Sequence, residues 1–214
     1  MTATRLVHTA DALQWLREHP LADDAAIVTS LPDAVEFSHK DTERWRTWFL
    51  DAAELVLRST PAKSACVFFQ TDVKCSGVWI DKAFLVQQAA AAAGCALLWH
   101  KVVCRAPAGQ ATFGRPGYAH LLCFSRELRD PIEAAVADVL PELGGQAWAR
   151  GMGVDAARMA VAWLRDRAGA HTIVAPFCGV GTALAVANEL GMAAIGIERN
   201  ANRAEQARTL QLDH

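Results

Sequence analysis

Apolar residues along the chain fall into two kinds of run that alternate from one end to the other. Short, continuous apolar runs predict buried strands, and longer stretches with apolar residues three or four positions apart predict helices. The predicted strands cover residues 6–8, 25–29, 65–69, 97–104, 119–124, 172–175 and 193–197. The predicted helices cover residues 10–19, 45–58, 81–93, 131–140, 155–167, 183–190 and 201–212. Gly94 is expected to end the third helix, and the alternation of strands and helices predicts an α/β fold.

Composition and charge narrow the possible functions. The 214 residues are 52% hydrophobic, which suits one folded domain and excludes a mainly disordered chain. The formal net charge of −2 excludes a general polyanion binder, although a local basic patch could still hold nucleic acid. We expect no membrane span, because no apolar run reaches the roughly 18–20 residues that cross a bilayer. We expect no signal peptide, because the first residues do not show a basic segment followed by an apolar one. The six cysteines form no C-x-x-C pair, so we expect no metal site and a reduced, cytoplasmic protein.

The strongest local signal is the loop between the sixth predicted strand and the helix after it. Gly179 and Gly181 allow a tight turn and let a ligand approach the backbone, and the helix starting near Thr182 directs free N–H groups at that ligand. Glu198 ends the next strand, where a carboxylate can accept hydrogen bonds from both ribose hydroxyls. The arrangement predicts an adenosine-ribose site, with a tight turn that binds nothing as the alternative. A dinucleotide fingerprint is excluded because its third glycine would fall at Leu184, and no P-loop lysine follows.

Two segments around this loop resemble motifs of the S-adenosylmethionine-dependent amino-methyltransferases, which methylate exocyclic nitrogens in DNA or related sites in RNA. The segment APFCGVGT (175–182) is similar to their D-P-F-x-G-x-G-T, and AIGIERN (194–200) is similar to their G-I-E-x-N. The resemblance implies S-adenosyl-L-methionine as the cofactor. Ala175 replaces the leading Asp of the first motif, so the methionine ammonium must rely on backbone carbonyls or on another acid.

The order of the segments resembles the circularly permuted, beta-class members of that family. Residues 6–16 look like their G-D-A-L-x-x-L segment at the adenine, with Ala10 in place of Gly, and residues 25–33 stand where they carry D-x-x-x-T-D-P-P-Y. Residues 97–103 and 118–126 look like their last two strands. The resemblance therefore implies a Rossmann-like, seven-stranded methyltransferase sheet, circularly permuted, whose strands enter in the order third to seventh, then first and second.

The resemblance also divides the chain and assigns its cofactor contacts. It implies one methyltransferase domain over residues 1–214, with a catalytic, acceptor half (1–130) and a cofactor-binding half (131–214). Residues 148–155 stand where the family opens a helix beside the methionine end of the cofactor, and an ordinary capped helix start is the alternative. The residues expected to bind the cofactor are Asp11, Thr29, Ser30, Gly151, Gly153, Pro176, Phe177, Cys178, Gly179, Gly181, Thr182, Glu198, Arg199 and Asn200.

The expected catalytic loop departs from the family's pattern, D/N/S-P-P-Y/F/W, in which the first side chain holds the target amine and the aromatic ring stacks on a flipped base. This chain has Ser30-Leu31-Pro32-Asp33 at that place. We expect Asp33 to act as a general base, which suits an acceptor with a ring N–H or a hydroxyl better than an exocyclic amine. The alternative is that Asp33 only caps a turn. The loop has no Cys, so covalent C5-pyrimidine chemistry is not expected. The candidates for a replacement stacking ring are Phe37, Trp79, Phe113 and Tyr118.

Further candidates follow the next strands along the chain. Asp72 and Lys74 are expected at the same carboxyl edge of the sheet, where they would line the acceptor pocket or form a salt-bridged surface loop. The expected catalytic residues are Asp33, Ser30, Pro32 and Asp72. The expected substrate-binding residues are Lys74, Arg105, Phe113, Arg115 and Tyr118, which with Lys101 make a basic loop interleaved with aromatic rings. A solvated loop is the alternative, and His100, His120 and the stripe of Trp45, Trp48 and Phe49 are expected to be structural.

These observations favour a methyltransferase acting on RNA at a base nitrogen, with tRNA the favoured substrate. The loop of about 13 residues between the last two predicted strands is too short to read a DNA sequence, whereas structured RNA is recognised by shape. The alternatives are a methyltransferase of a small molecule or a protein, which the near-neutral charge favours, and a catalytically degenerate partner subunit, which the altered loop favours.

Overall fold

The computed structural model describes residues 4–34, 41–75, 77–129, 136–149 and 151–212. The described chain alternates strands and helices as the apolar pattern predicts. In chain order the elements are β1 (Arg5–Thr9), α1 (Ala12–Glu18), β2 (Ala25–Thr29), α2 (Thr42–Ser59), β3 (Cys66–Gln70), β4 (Val73–Cys75), β5 (Val78–Ile80), α3 (Lys82–Ala92), β6 (Ala96–Cys104), β7 (Tyr118–Ser125), β8 (Val139–Leu140), α4 (Val154–Arg167), β9 (Thr172–Pro176), α5 (Thr182–Glu189), β10 (Ala193–Glu198) and α6 (Ala201–Thr209).

A central, mostly parallel sheet organises these elements. Its strand order is β1-β10-β9-β2-β3-β7-β6-β8, and β7 alone runs antiparallel to its neighbours. The short strands β4 and β5 pair separately as a hairpin. The carboxyl ends of the parallel strands therefore meet at one edge of the sheet, where open α/β sheets bind their ligands. The loop from β6 to β7 emerges at that same edge.

Helices cover both faces of the sheet, so its central strands are buried on both sides. All five residues of β2 are buried; Ala26 and Val28 pack with α4, α5 and α6, and Ile27 packs with α1, α2 and α3. A strand buried on both faces reads as a continuous apolar run, and this is why residues 25–29 were recognisable from the sequence. The two helical layers hold the carboxyl edge in a fixed shape.

Local signals set the helix ends. Asp11, Asp41 and Asp81 cap α1, α2 and α3 with side-chain carboxylates that accept backbone N–H groups of the first turn. Gly94 follows α3 with a φ of 69°, as expected for a glycine that ends a helix. These short-range rules explain why most helix boundaries could be predicted within a few residues.

The prediction of a helix over residues 131–140 is wrong where it can be compared. Residues 131–135 lie outside the described chain, and Val139–Leu140 form β8, which pairs in parallel with β6. Lys101 Nζ donates to the Val136 carbonyl at 3.0 Å and contacts Asp138 Oδ1 at 3.1 Å. This tertiary pairing overrides the helical apolar spacing.

The strand count also differs from the seven expected. Within the described residues the main sheet has eight strands, and β4, β5 and β8 were not predicted. Each of the three has only two or three residues, which is too short to leave a periodic signal. No helix in the described part of the chain is both long and apolar enough to cross a bilayer.

Candidate active site

A cleft of about 400 Å³ opens at the carboxyl edge of the sheet. Its walls come from the β9–α5 turn, the end of β10, the start of α1, the loop after β2 and the β6–β7 loop. Most of the predicted site residues line it: Asp11, Thr29, Ser30, Pro32, Asp33, Arg105, Arg115, Gly151, Pro176, Phe177, Cys178, Gly179, Thr182, Glu198, Arg199 and Asn200. Those that do not line it are Asp72, Lys74, Phe113, Tyr118, Gly153 and Gly181. Phe37 lies outside the described residues.

The two glycines of the β9–α5 turn have different neighbours. Gly179 has a φ of 57° and faces the cleft, where a Cβ would reach only the Trp148 ring at 3.9 Å. Gly181 has a φ of 90° and faces α6 instead, so a Cβ there would lie 2.9 Å from the Cβ of Ala207. Gly179 thus leaves room for a ligand, whereas Gly181 is required by backbone geometry and packing.

Phe177 and Cys178 precede these glycines. Phe177 has a φ of 58°, a conformation that is unusual for a residue with a side chain and is held here by the turn. Burial, with the nearby Glu198 carboxylate, raises the pKa of the Cys178 thiol to about 12. The thiol is therefore protonated at neutral pH, which excludes it as a nucleophile.

Glu198 joins the glycine turn to the start of α6. One carboxylate oxygen, Oε2, accepts the backbone N–H of Gly179 at 3.1 Å, and the other, Oε1, accepts that of Asn200 at 2.8 Å. The residue is only 7% exposed and faces the cleft. Because each carboxylate oxygen has two lone pairs, both can still accept a hydroxyl from a ligand.

Aromatic side chains line the cleft beside this acid, and sequence reasoning missed two of them. Trp48 lies edge-on to Phe177 with ring centroids 6.0 Å apart, and both line the cleft. The expectation that Trp48 belongs to the core holds in part, because Trp48 is half-buried and packs against the cluster of Trp45 and Phe49, but it also lines the cleft. Trp148 also lines the cleft, and the Arg203 guanidinium lies over its ring at 4.4 Å from the ring centroid.

Gly151 and Gly153 precede α4, as the sequence predicted, but their environments differ. Gly151 lines the cleft. Gly153 is the N-cap of α4, and a Cβ there would lie 2.1 Å from the Leu143 carbonyl oxygen. Gly153 is therefore explained by close packing of the backbone.

The predicted catalytic loop follows β2 along the floor of the cleft. Thr29 Oγ1 donates to the Pro176 carbonyl at 2.7 Å, which joins the carboxyl ends of β2 and β9. Trp45 Nε1 donates to the Pro32 carbonyl at 3.2 Å. These bonds fix the loop on both sides of Ser30.

Asp33 forms an ion pair with Lys82, the first residue of α3. The Lys82 side chain is 3% exposed and that of Asp33 is 21% exposed, so the carboxylate lies between a buried cation and the cleft. Sequence reasoning missed Lys82, because a single lysine at a helix start is usually solvated and the pairing joins residues 49 positions apart.

Asp72 lies behind this loop and does not reach the cleft. It is 2% exposed; Oδ1 accepts the Lys82 backbone N–H at 2.9 Å, and Oδ2 contacts Tyr118 Oη at 3.2 Å and His120 Nε2 at 3.1 Å. Burial acts to raise the pKa of Asp72, but these donors outweigh it and hold the pKa below its usual value. Asp72 is thus an internal anchor of the fold, and the prediction that it lines the acceptor pocket is not met by the cleft.

The two histidines behind Asp72 continue this network, as expected of structural residues. The His120 ring contacts His100 at 2.9 Å between Nδ1 and Nε2. Burial, and then His120, lower the pKa of His100. A ligand atom of Asp81 lies within 4.8 Å of those of Asp72 and His120, but the Asp72 oxygens already accept protein donors.

The β6–β7 loop supplies two cationic groups to the wall of the cleft. Arg105 and Arg115 both line it, and Arg105 Nη1 donates to Thr71 Oγ1 at 3.2 Å. Burial, and then the neighbouring Arg115 charge, lower the pKa of Arg105. Neither guanidinium is in a salt bridge with a carboxylate of the described residues.

The remaining predicted substrate residues surround this wall or lie elsewhere. Phe113, at the tip of the loop, is 96% exposed. Lys74 lies on the β4–β5 hairpin opposite Trp79. Lys101 does not belong to the basic loop, because its side chain is buried on β6 against Asp138.

Solved structures with similar folds include two proteins named as DNA methylases or methyltransferases and a third that was crystallised with S-adenosylmethionine. A candidate DNA modification methylase from Thermus thermophilus, crystallised with S-adenosyl-L-methionine, is 18% identical with a TM-score of 0.72 over 95% of this chain and 91% of its own. PvuII DNA methyltransferase, a cytosine-N4-specific enzyme, is 15% identical with a TM-score of 0.76 over 98% and 88%. The M1.HpyAVI complex with S-adenosylmethionine is 13% identical with a TM-score of 0.64 over 96% and 98%.

The chain therefore shares its fold with methyltransferases that have been crystallised with S-adenosylmethionine. No protein-family model matches the sequence, and no curated protein sequence matches it either. The likeness is one of three-dimensional structure at low sequence identity.

Proposed function

We propose that the protein is an S-adenosylmethionine-dependent methyltransferase. The observation that carries the proposal is Glu198, whose two oxygens are held by backbone N–H groups at 3.1 and 2.8 Å while the carboxylate still faces the cleft. A carboxylate fixed in this way is suited to accept both ribose hydroxyls. Gly179 leaves space for the ligand, and a cleft of about 400 Å³ is large enough for a nucleoside cofactor. When bound, the cofactor would supply a methyl group activated by its sulfonium.

We further propose that the fold is a circularly permuted methyltransferase domain spanning residues 1–214. The chain provides β1, β2, β3, β6 and β7 first and β9 and β10 last, and in the sheet β10 and β9 lie between β1 and β2. This order supports a permutation in which the third to seventh strands precede the first two. In this proposal residues 131–214 hold the cofactor and residues 1–130 hold the acceptor, although Asp11 and Thr29 of the first half also line the cofactor side.

The acceptor that we favour is an RNA base, with tRNA as the first substrate to test. Arg105 and Arg115 give the acceptor side a cationic wall, and the exposed ring of Phe113 stands at the tip of the same loop. Guanidinium groups and exposed rings are the usual partners of phosphates and unstacked bases. Two of the similar solved structures are DNA methylases or methyltransferases by name, so a DNA base is the second candidate. We also propose a cytoplasmic location, because none of the six cysteines, all within the described residues, forms a disulfide.

In this proposal the residues of the loop after β2 orient the acceptor. Asp33 lines the cleft, and its carboxylate can accept a hydrogen bond or a proton from the N–H or O–H group of an acceptor. Ser30 and the Pro32 region provide hydroxyl and carbonyl groups nearby. Because methyl transfer is an in-line displacement, the fixed position of this loop is what aligns the acceptor lone pair with the sulfonium.

Two measurements test the proposal. Titration calorimetry of the purified protein should detect S-adenosylmethionine or its demethylated product at micromolar affinity, about −8 kcal/mol, and Gly179→Leu should abolish binding by filling the cleft. Mass spectrometry of nucleosides from a deletion strain should then reveal one missing methylated base, in RNA if the favoured acceptor is right and in DNA if the second candidate is. Unchanged binding by Gly179→Leu would contradict the cofactor site. Binding without any missing base would favour a small-molecule or protein acceptor, or a non-catalytic partner subunit.

A further inference from the structure

The acid of the proposed catalytic loop is paired with a lysine that is almost wholly inside the protein. The Lys82 side chain is 3% exposed, and its Nζ donates to Asp33 Oδ1. A buried ammonium is costly unless a carboxylate and hydrogen bonds compensate it. Among the described residues Asp33 is the one carboxylate that pairs with Lys82.

The backbone of Lys82 is anchored on the side away from the cleft. Its N–H donates to Asp72 Oδ1 at 2.9 Å, and Asp72 Oδ2 is held by Tyr118 and His120 on β7. Asp81, the residue before it, caps α3 by accepting the N–H of Phe84 at 2.8 Å. The start of α3 is therefore fixed to the sheet by contacts that involve neither the cleft nor Asp33.

Asp33 has no comparable support of its own. The residue before it, Pro32, is the last one in the loop that receives a hydrogen bond from a side chain, that of Trp45. Within the described chain, the only hydrogen bond of Asp33 is the one from Lys82. That bond uses Oδ1, so Oδ2 is left to accept a hydrogen bond from a group in the cleft. The position of the acceptor-facing oxygen is thus set by Lys82, through a chain of contacts that ends at Asp72.

We propose, building on the methyltransferase function above, that Lys82 is a positioning residue that holds the Asp33 carboxylate against the acceptor. In this chain the pair puts a carboxylate, whose direction is fixed by a buried cation, at the place where the resembling family has an aromatic ring. Lys82 itself stays behind Asp33 and does not touch the acceptor. A misplacement of about 1 Å at a reacting group is enough to lower turnover by ~10²-fold, so the loss of Lys82 should act on turnover.

The chain offers a matched control for this test. Lys101 is equally buried, with a side chain that is 2% exposed, and its Nζ also donates to a carboxylate, that of Asp138, and in addition to the Val136 carbonyl. It lies on β6 and does not line the cleft. Lys82→Met and Lys101→Met each remove one buried ammonium from a carboxylate partner, but only Lys82→Met removes a contact to a residue that lines the cleft, Asp33.

The first experiment measures methyl transfer from labelled S-adenosylmethionine to bulk tRNA of a deletion strain, below the unfolding temperature of both variants. Lys82→Met should lower kcat by ~10²-fold while the Kd for the cofactor stays within about threefold, and Lys101→Met should keep kcat. Equal kcat values for Lys82→Met and the native enzyme would overturn the proposal, as would an equal loss in both variants.

The second experiment does not depend on the acceptor or on activity. In a crystal structure of Lys82→Met the Asp33 carboxylate should move by about 1 Å or more or lose its single position, while the Lys101→Met structure keeps it. An unmoved Asp33 in Lys82→Met would overturn the positioning role even if no acceptor is found. If the native protein fails to bind the cofactor, the proposed function is contradicted. The position of Asp33 in the Lys82→Met crystal structure would then still show whether Lys82 positions it.

Discussion

Replacing Glu198 with Gln tests the proposed cofactor site with almost no change in shape. Both carboxylate oxygens accept a backbone N–H, from Gly179 on one side and from Asn200 on the other. An amide can accept on one side only, so in either orientation its NH2 group meets an N–H donor and one charge-assisted bond is lost. The substitution therefore disturbs the turn and the ligand contacts together.

The size of the effect follows from the bonds involved. A hydrogen bond to a charged group contributes about 1.5–3 kcal/mol, and the proposed ribose contact loses one such acceptor. At 1.4 kcal/mol per factor of ten, the Kd for S-adenosylmethionine should rise by about 10- to 150-fold. Glu198→Ala should weaken binding at least as much, because both acceptors are then missing.

Titration calorimetry at one temperature and salt concentration measures this change. Glu205→Gln is the matched control, since Glu205 is an exposed residue of α6 that pairs with Arg208 and does not line the cleft. It should bind like the native protein. A Kd for Glu198→Gln within about twofold of the native value, in a protein with a native circular dichroism spectrum, would refute the assignment of Glu198 to the ribose.

Three further predictions concern other parts of the chain. Gly181→Ala should lower Tm by at least about 4 °C, because alanine at this positive φ is strained and its Cβ clashes with α6. Gly169 also has a positive φ, but a Cβ there meets open space, so Gly169→Ala should lower Tm less. Differential scanning calorimetry of both variants measures the two values. Charge reversal at Arg105 or Arg115 should weaken tRNA binding and flatten its dependence on salt in filter-binding assays, with cofactor affinity unchanged; salt-independent binding in all forms would contradict an RNA acceptor. The pKa of Asp72 is lower in the folded state than the ordinary value near 3.9, so its contribution to stability is present above about pH 5 and is lost as the pH falls below 4. Urea unfolding should therefore give Asp72→Asn a clearly lower free energy of unfolding than the native protein at pH 7, and a smaller difference at pH 3. The same difference at both pH values would show that the ionised form of Asp72 does not stabilise the fold.

The elements that the sequence predicted well are those governed by short-range rules. Residues 172–175 and 193–197 are continuous apolar runs, and the structure has strands at both places. The glycine turn between them and Glu198 after them also came from local spacing, and the structure brings Gly179 and Glu198 into direct contact. Local sequence suffices wherever neighbours along the chain create the geometry.

The parts that could not be predicted depend on contacts between distant residues. Lys82 reaches Asp33 across 49 positions, and no spacing rule marks a lysine at a helix start as buried. Trp148 and Arg203 come together from separate segments to form one wall of the cleft. Asp72 was expected at the acceptor because the carboxyl edge is the usual place for ligands, but the start of α3 covers it. Such contacts follow from three-dimensional packing and leave no periodic pattern in the sequence.

The position of β9 in the middle of the sheet has a consequence for folding during translation. β2 lies beside β9, and the bond from Thr29 to Pro176 joins residues 147 positions apart. At 5–20 residues per second, translation takes roughly 7–30 s to cover that interval, and during this time the β9-facing side of β2 has no neighbour. An open, apolar strand edge is a template for pairing with another chain. Nascent chains crowded on one polysome should therefore need a holding chaperone until residue 176 has emerged, and heterologous yield should depend on translation speed more than on the stability of the finished fold.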